Sequence, residues 1–226
     1  MRYLQPAFYG EGPSDYAFLP RLLLRLCEQV LLDLGCGPFE VADPEMLNDA
    51  EGAPRRRSER VAEAAFKARD AWNLLWVHSD GAGDPDAARA TSVQPAFDLL
   101  AQRLPPGSWA GVAVIPVREV EAWVLADGDA LRAALGVSLD DVALGLPGAS
   151  ACEGLADPKP PMEQAFKTAL GRQYRPGRGS GLQDILRAVA ERSRCETLRS
   201  LPSFRACEAE MRSALLQLYP DLASRR

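Results

Sequence analysis

Acidic residues stand directly after three apolar segments that are typical of buried β-strands. Parallel strands present their carboxyl ends at one edge of a sheet, so these acids are predicted to lie close together there. Carboxylates in one place repel each other unless a cation lies between them, and their hard oxygens suit Mg²⁺ or Mn²⁺. The acids are Glu11 after segment 3–9, Asp80 and Asp84 after segment 72–78, and Glu119 and Glu121 after segment 110–116.

Taken singly, each acid also has a structural interpretation. Glu11 is suited to the positive N-terminal end of a helix dipole. Asp80 and Asp84 flank glycines, and Asp-Gly pairs are common in turns. Glu119 and Glu121 would be separated by about 200° on a helix, so only one of them is predicted to face a shared site. The joint placement of the acids after strands is what favours a metal site.

His78 is the only histidine of the chain and ends the apolar segment 72–78. An imidazole in this position is suited to act as a general base, to contact a phosphate, or to serve as a structural hydrogen-bonding group. The five cysteines show no CxxC spacing, so neither a zinc site nor a disulfide framework is indicated. The predicted catalytic residues are Glu11, His78, Asp80 and Glu119, and the predicted metal ligands are Glu11, Asp80, Asp84, Glu119 and Glu121.

A basic segment at 159–178 surrounds a glycine-rich turn and includes Tyr174. Basic side chains with an aromatic ring suit phosphate contacts and base stacking, so the segment is predicted to bind nucleic acid. The alternative is a solvated surface that offsets the acidic segment 119–157. The net charge of −5 argues against a generic nucleic-acid-binding protein, although residues 55–57 form a second basic run. The predicted nucleic-acid contacts are Lys159, Lys167, Arg172, Arg175 and Arg178.

The apolar pattern predicts an α/β fold that positions these residues. Strands alternate with amphipathic helices, which is the signature of a parallel sheet covered by helices on both faces. With 226 residues, of which 47% are hydrophobic, the chain can bury a sizeable core. The predicted strands are 3–9, 39–42, 72–78 and 110–116, and the helices between them are 14–34, capped by Ser14, 58–71, capped by Ser58, and 85–103.

Beyond Pro116 the chain is predicted to be mainly helical. Two short helices come first, with Asp127 as a cap and Gly136 as a terminator. Residues 1–135 are expected to form one domain, on which a helical extension, 136–226, packs as one unit. The later helices are predicted at 161–171, 181–194 and 202–218, and segments 43–57 and 137–160 have loop composition.

The N-terminus lacks the apolar core of a signal peptide, and no apolar run reaches the roughly 18 residues of a membrane span. The protein is therefore expected to be cytoplasmic, with no membrane partner.

Three stretches together resemble the TOPRIM fold, in a group of bacterial TOPRIM-like proteins that often accompany ABC-type ATPases in phage-defence loci. They are FYGEGPSDYAFLPRLL from residue 8, WVHSDGAGD from residue 76 and PVREVEAWVLAD from residue 116. The resemblance covers about residues 3–135 and, more loosely, ADPK at 156–159 and LPSFRACEAEM at 201–211.

This resemblance implies a TOPRIM-like Rossmannoid domain with a central parallel four-stranded sheet. It also implies that Glu11, after the first strand, and a D-x-D pair beginning at Asp80 hold Mg²⁺. The chain departs from that pattern because its second acid would stand at Ala82. Asp84, two residues later, is the available substitute.

Two functions from different classes follow. The first is a divalent-metal-dependent nuclease or related phosphoryl-transfer enzyme that acts on RNA or DNA in phage defence. The alternative is a non-catalytic TOPRIM-like partner of an ABC-type ATPase with a degraded metal site. Ala82 favours the alternative, whereas the retained acids oppose it.

Overall fold

The computed structural model describes residues 1–49, 56–174 and 179–225. The strands are β1 Arg2–Leu4, β2 Pro6–Tyr9, β3 Phe39–Val41, β4 Glu45–Met46, β5 Leu74–His78 and β6 Ala110–Val114. Four of them form a parallel sheet in the order β4-β2-β5-β6, and β1 pairs with β3 outside that sheet. Helices cover both faces of the sheet. The predicted α/β architecture with a four-stranded parallel sheet is confirmed.

The two inner strands of the sheet, β2 and β5, are buried along their whole length. Such continuous apolar runs are typical of parallel strands that are covered on both faces. Phe8 is paired with Trp76, and Trp76 with Val112. Val77 in β5 and Val114 in β6 are completely buried.

The predicted strand 3–9 is two strands that are separated at Gln5. The Gln5 carbonyl accepts a hydrogen bond from the Asn73 N–H at 2.9 Å, and the Gln5 N–H donates to the Asn73 side chain at 2.9 Å. Gln5 is therefore hydrogen-bonded to the residue that precedes β5. On the opposite edge of the chain the partner strand changes at Gln5, because β1 pairs with β3 and β2 pairs with β4. The predicted strand 39–42 consequently joins only β1. The fourth strand of the sheet comes instead from 45–46, which the sequence predicted as loop.

The α-helices are α1 Pro13–Asp33, α2 Arg57–Lys67, α3 Pro85–Ala88, α4 Gln94–Ala101, α5 Glu121–Ala126, α6 Gly128–Leu135, α7 Asp141–Leu144, α8 Lys159–Leu170, α9 Gly179–Arg192, α10 Cys195–Leu198 and α11 Pro202–Leu218. A π-helical turn separates α3 from α4 within the helix predicted at 85–103. The predicted loop 137–160 contains α7. Asp127 caps α6 and Gly136 ends it at φ 67°, as predicted. Within the described ranges, no helix combines the length and apolar character that crossing a membrane requires.

Two predicted caps are wrong. The N-cap residue of α1 is Gly12, and the Asp15 carboxylate, not the Ser14 hydroxyl, accepts the Gly12 N–H. Ser58 lies inside α2, whose N-cap residue is Arg56. In α1 the cap is formed by the side chain of Asp15, which reaches back from the third helical residue.

The two faces of the sheet are covered by different parts of the chain. Leu75 and Val77 belong to a hydrophobic cluster with α2 and α4. Trp76 belongs to a second cluster on the opposite face, which continues through α1 into α5, α6, α8, α9 and α11. The helices beyond β6 therefore share a core with the sheet, and this packing carries α5 and α8 to the edge where β5 ends.

Candidate functional site

The strand order creates a crevice at the carboxyl ends of β2 and β5. After β2 the chain adds β4 on one side, and then crosses to the other side to add β5 and β6. In open parallel sheets, ligands bind at such a reversal, just outside the carboxyl ends of the two strands. Glu11 follows the end of β2 by two residues and Asp80 follows the end of β5 by two residues, so both acids emerge at this crevice.

Glu11 is oriented by groups from two other elements. Its Oε1 accepts a hydrogen bond from the Ser79 hydroxyl at 2.9 Å and lies 3.3 Å from the Arg57 guanidinium. Arg57 also donates to the His78 carbonyl, and its guanidinium carbon lies 5.3 Å from the centroid of the Tyr9 ring. Arg57 thus joins α2 to the ends of β2 and β5, and it fixes the Glu11 carboxylate between them.

His78 is completely buried and lies between two carboxylates. Its Nδ1 is 2.9 Å from the Val114 carbonyl oxygen, which can only accept a hydrogen bond, so this nitrogen carries a proton. Its Nε2 lies 3.4 Å from Asp80 Oδ1 and 3.6 Å from Asp15 Oδ1. Burial lowers the pKa of His78, but the two carboxylates and the Val114 carbonyl outweigh burial, and the pKa lies above its ordinary value. When it is protonated, His78 places a positive charge between the two acids, although its Nε2 makes no hydrogen bond to either of them.

Asp15 connects the Glu11 loop to His78, and the sequence analysis did not single it out. Its Oδ2 accepts the backbone N–H of Glu11 at 2.9 Å and that of Gly12 at 2.8 Å, while its Oδ1 faces the imidazole. Its place in the sequence could have indicated this role, because Asp15 is the third residue of α1, where an acidic side chain commonly accepts the N-cap N–H. Ser79, the hydroxyl partner of Glu11, carried no comparable signal.

Glu119 and Glu121 form the other side of the site, together with Lys159. The Lys159 ammonium lies 2.6 Å from Glu119 Oε1, whereas Glu119 Oε2 is buried and has no hydrogen-bond partner among the described residues. Glu121 is only 5% exposed. Burial, together with the charges of Glu119 and Asp80, raises its pKa to about 7, although Lys159 acts in the opposite direction. This side of the site therefore carries buried negative charge that is incompletely neutralised.

The expectation that only one of Glu119 and Glu121 faces the site rested on a wrong premise. The helix α5 begins at Glu121, and Glu119 lies before it, so the two are not separated by a helical rotation. Both acids influence the pKa of Lys159, as Asp80 does. The structure therefore brings together Asp80, Glu119, Glu121 and Lys159, and links Glu11 to them through Asp15 and His78.

The loop after Asp80 is bonded to the segment after β6. The backbone N–H groups of Gly81 and Gly83 donate to Pro116 and Val117 carbonyls, at 3.1 and 2.7 Å. A Cβ at Gly81 would lie 2.3 Å from the Pro116 oxygen, so only glycine fits there. These hydrogen bonds join the loop that follows Asp80 to the segment that leads to Glu119.

Asp84, the proposed substitute for the missing acid at Ala82, has a structural role. Its Oδ1 accepts the Ala87 N–H at 2.9 Å, which caps α3. The Ala82 backbone is left-handed, with φ 49°, and its side chain is exposed. The observed contact of Asp84 therefore agrees with its structural interpretation as a turn residue.

The described residues among those predicted to contact nucleic acid have separate partners. Lys159 was assigned to that surface, but its ammonium is bonded to Glu119 within the acidic site. Lys167 pairs with Glu163 at 3.3 Å along α8. Arg172 lies in a 3-10 turn after α8 and has contacts of its own. Arg55, Arg175 and Arg178 lie outside the described residues.

The fold and site together define a parallel α/β protein with an acidic cluster at its topological switch point. Over residues 1–49, 56–174 and 179–225, no three His, Cys, Asp or Glu side chains are grouped closely enough to hold a metal ion as they stand. Comparisons with protein-family models, with curated proteins and with solved structures give no match.

Proposed function

We propose that the protein is a TOPRIM-like, divalent-metal-dependent phosphodiesterase that cleaves nucleic acid. The observation that supports this most is the buried negative charge beside Asp80, where Glu119 has an unpartnered oxygen and the pKa of Glu121 is raised. Buried carboxylate charge without sufficient partners costs free energy, and a bound divalent cation offsets that cost. The position of this charge at the switch point is the position expected of a ligand site.

The donor set fits a hard cation. Asp80, Glu119 and Glu121 would hold the ion, because the charges of all three act on the Lys159 ammonium, which pairs with Glu119. A bound Mg²⁺ or Mn²⁺ would polarise a phosphodiester and lower the pKa of a bound water. The residues Ser79 and Arg57 keep the Glu11 carboxylate at the opposite side of the crevice.

Other side chains of the site would orient the metal ligands and contact the substrate. His78 positions Asp80 through its Nε2, and the Val114 carbonyl fixes the orientation of the ring. The pKa of Glu121 is raised to about 7 without a bound cation, so this carboxyl would lose its proton when it takes the metal ion. Arg57 and Lys159 are the cations that lie against the site carboxylates, and they suit a substrate that carries phosphate groups.

The proposal is tested by measuring metal binding and cleavage on the same samples. Mn²⁺ should raise the melting temperature by about 5 °C, and single-stranded RNA, single-stranded DNA and duplex DNA should be assayed for cleavage. Asp80→Asn and Glu119→Gln should remove both effects. The matched control is Asp86→Asn, an exposed acid on α3, which should retain them. Metal-independent melting together with no cleavage of any substrate would refute the proposal.

A second candidate is a non-catalytic TOPRIM-like partner of an ABC-type ATPase. Ala82 favours it, because the acid that could replace the missing one, Asp84, is engaged in capping α3. This candidate predicts a stable complex with the ATPase and a change in ATP hydrolysis that is the same for wild type and Asp80→Asn. A change that depends on Asp80 would instead favour the enzyme.

A further inference from the structure

Lys159 is the first residue of α8 and extends from the helix into the acidic site. Its backbone N–H is bonded to Asp157 Oδ1 at 3.0 Å, which fixes the start of the helix. Its ammonium lies 2.6 Å from Glu119 Oε1, and the charges of Glu121 and Asp80 also act on it. The side chain is 52% exposed, so the residue is anchored by its backbone while its charged end borders solvent.

We infer that the Lys159 ammonium is a built-in counter-ion which competes with the divalent cation for the negative charge of Glu119, so that metal binds more weakly while the ammonium is in place. This inference rests on the proposed function, because it concerns the same carboxylates.

The competition follows from the geometry. A divalent cation binds carboxylate oxygens at roughly 2.0–2.6 Å, depending on the metal, and Glu119 Oε2 is available to it, but the ammonium at 2.6 Å from Oε1 already neutralises the charge of this carboxylate. The two cations would also repel each other inside a partly buried site.

Lysine is suited to this role. Its charge is carried on a flexible four-carbon stem, and here the stem already borders solvent, so the ammonium can be displaced without moving α8. Arg57, by contrast, is bonded to both the His78 carbonyl and Glu11 and is mostly buried, so it is not expected to move.

The experiment is a titration of the full-length protein with Mn²⁺, followed by the electron paramagnetic resonance signal of the free ion. Lys159→Met keeps the length of the stem and removes the charge, and it should bind Mn²⁺ about tenfold more tightly than wild type. The matched control is Lys167→Met on the same helix, whose ammonium pairs with Glu163 and not with the site. Its affinity for Mn²⁺ should equal that of wild type.

A stability measurement on the same proteins provides a second readout. Without divalent ions, Lys159→Met should melt at a lower temperature than wild type, because the site loses its counter-ion. Mn²⁺ should raise the melting temperature of Lys159→Met more than that of wild type.

The outcomes separate the inference from the proposed function. Wild type that binds Mn²⁺ with an affinity unchanged or weakened by Lys159→Met would overturn the inference and leave the proposed function standing. Absence of Mn²⁺ binding in both proteins would overturn both. Equal tightening by Lys159→Met and Lys167→Met would indicate a general charge effect and would also overturn the inference.

Discussion

The two sides of the crevice differ in how their carboxylates are satisfied. On the side of β2, Glu11 accepts from Ser79 and lies beside Arg57, and Asp15 accepts two backbone N–H groups. On the side of β6, Glu119 has one partner, Lys159, and an oxygen with none among the described residues. On the first side, described hydrogen bonds engage both carboxylates, whereas on the second Glu119 has a buried oxygen without a described partner.

This difference indicates that the carboxylates on the side of β2 hold the structure in place, whereas those on the side of β6 are suited to bind a cation. A carboxylate whose oxygens are already engaged gains little from an added cation, because its existing partners would have to be replaced. A buried carboxylate with an unused oxygen gains more. We therefore expect substitutions on the side of β2 to lower stability, and substitutions on the side of β6 to change charge-dependent properties. His78 lies between the two sides and should affect both.

The largest effect is expected for His78→Phe, which keeps a ring in the core but leaves Asp15 and Asp80 without their shared cation. The variant should lose about 3 kcal/mol of unfolding free energy at pH 6, as measured by urea denaturation. Because the pKa of His78 in the folded state lies above its ordinary value of 6.5, its contribution is complete below pH 6.5 and is lost as pH rises through the folded-state pKa. The loss should therefore be smaller at pH 9. A control, Ser79→Ala, removes one hydrogen bond and should cost about 1 kcal/mol at both values. If His78→Phe lowered the unfolding free energy equally at both pH values, a protonated His78 between Asp15 and Asp80 would be contradicted.

The second prediction concerns Glu121→Gln, which should stabilise the protein. The pKa of Glu121 is raised from 4.5 to about 7, so ionising it in the folded state is unfavourable. Unfolding free energy contributed by this group therefore falls as pH rises from 4.5 to 7, and the whole loss remains above pH 7. At pH 8 the variant should be about 2 kcal/mol more stable than wild type, and below pH 4.5 the two should converge. Glu119→Gln provides the contrast, since it breaks a partly exposed ion pair and should destabilise by about 0.5 kcal/mol. If Glu121→Gln were destabilising at pH 8, the site would not carry uncompensated charge.

The sequence predicts the parallel sheet and the position of the acids at its carboxyl edge better than it predicts the partners and burial of the site residues. Long apolar strands alternating with helices determine a parallel sheet, and an acid two residues beyond such a strand must emerge at its carboxyl edge. The partner of Glu119 could not be derived in this way, because Lys159 is 40 residues away and arrives only through the packing of α8. The burial of His78 was likewise hidden, since it depends on Val114 and Asp15 from other elements. The strand predicted at 39–42 is present as β3, but its pairing with β1 alone was not predicted, because the break between β1 and β2 depends on the contact of Gln5 with Asn73.

A third prediction tests the side of β2 through Arg57. Arg57→Ala removes a guanidinium that bonds the His78 carbonyl, faces Glu11 and lies over Tyr9, and its side chain is only 20% exposed. The expected loss is about 1.5 kcal/mol in urea denaturation, from one hydrogen bond, a cation–π contact and lost packing. Arg56→Ala, the exposed neighbouring arginine, should change stability by less than about 0.5 kcal/mol. Equal effects of the two substitutions would show that Arg57 does not join α2 to the strand ends.

The smallest effect is expected at Asp84, and it decides whether this acid belongs to the metal site or to the helix. An aspartate that caps α3 can be replaced by asparagine with almost no loss, because the amide oxygen also accepts the Ala87 N–H, whereas alanine should cost about 1 kcal/mol. A metal ligand would behave differently, since asparagine removes the charge that the cation needs. Mn²⁺ titration of Asp84→Asn should therefore give the wild-type affinity, while Asp80→Asn should bind much more weakly. Weakened binding in Asp84→Asn with unchanged stability would reverse the assignment, and it would make Asp84 the acid that compensates for Ala82.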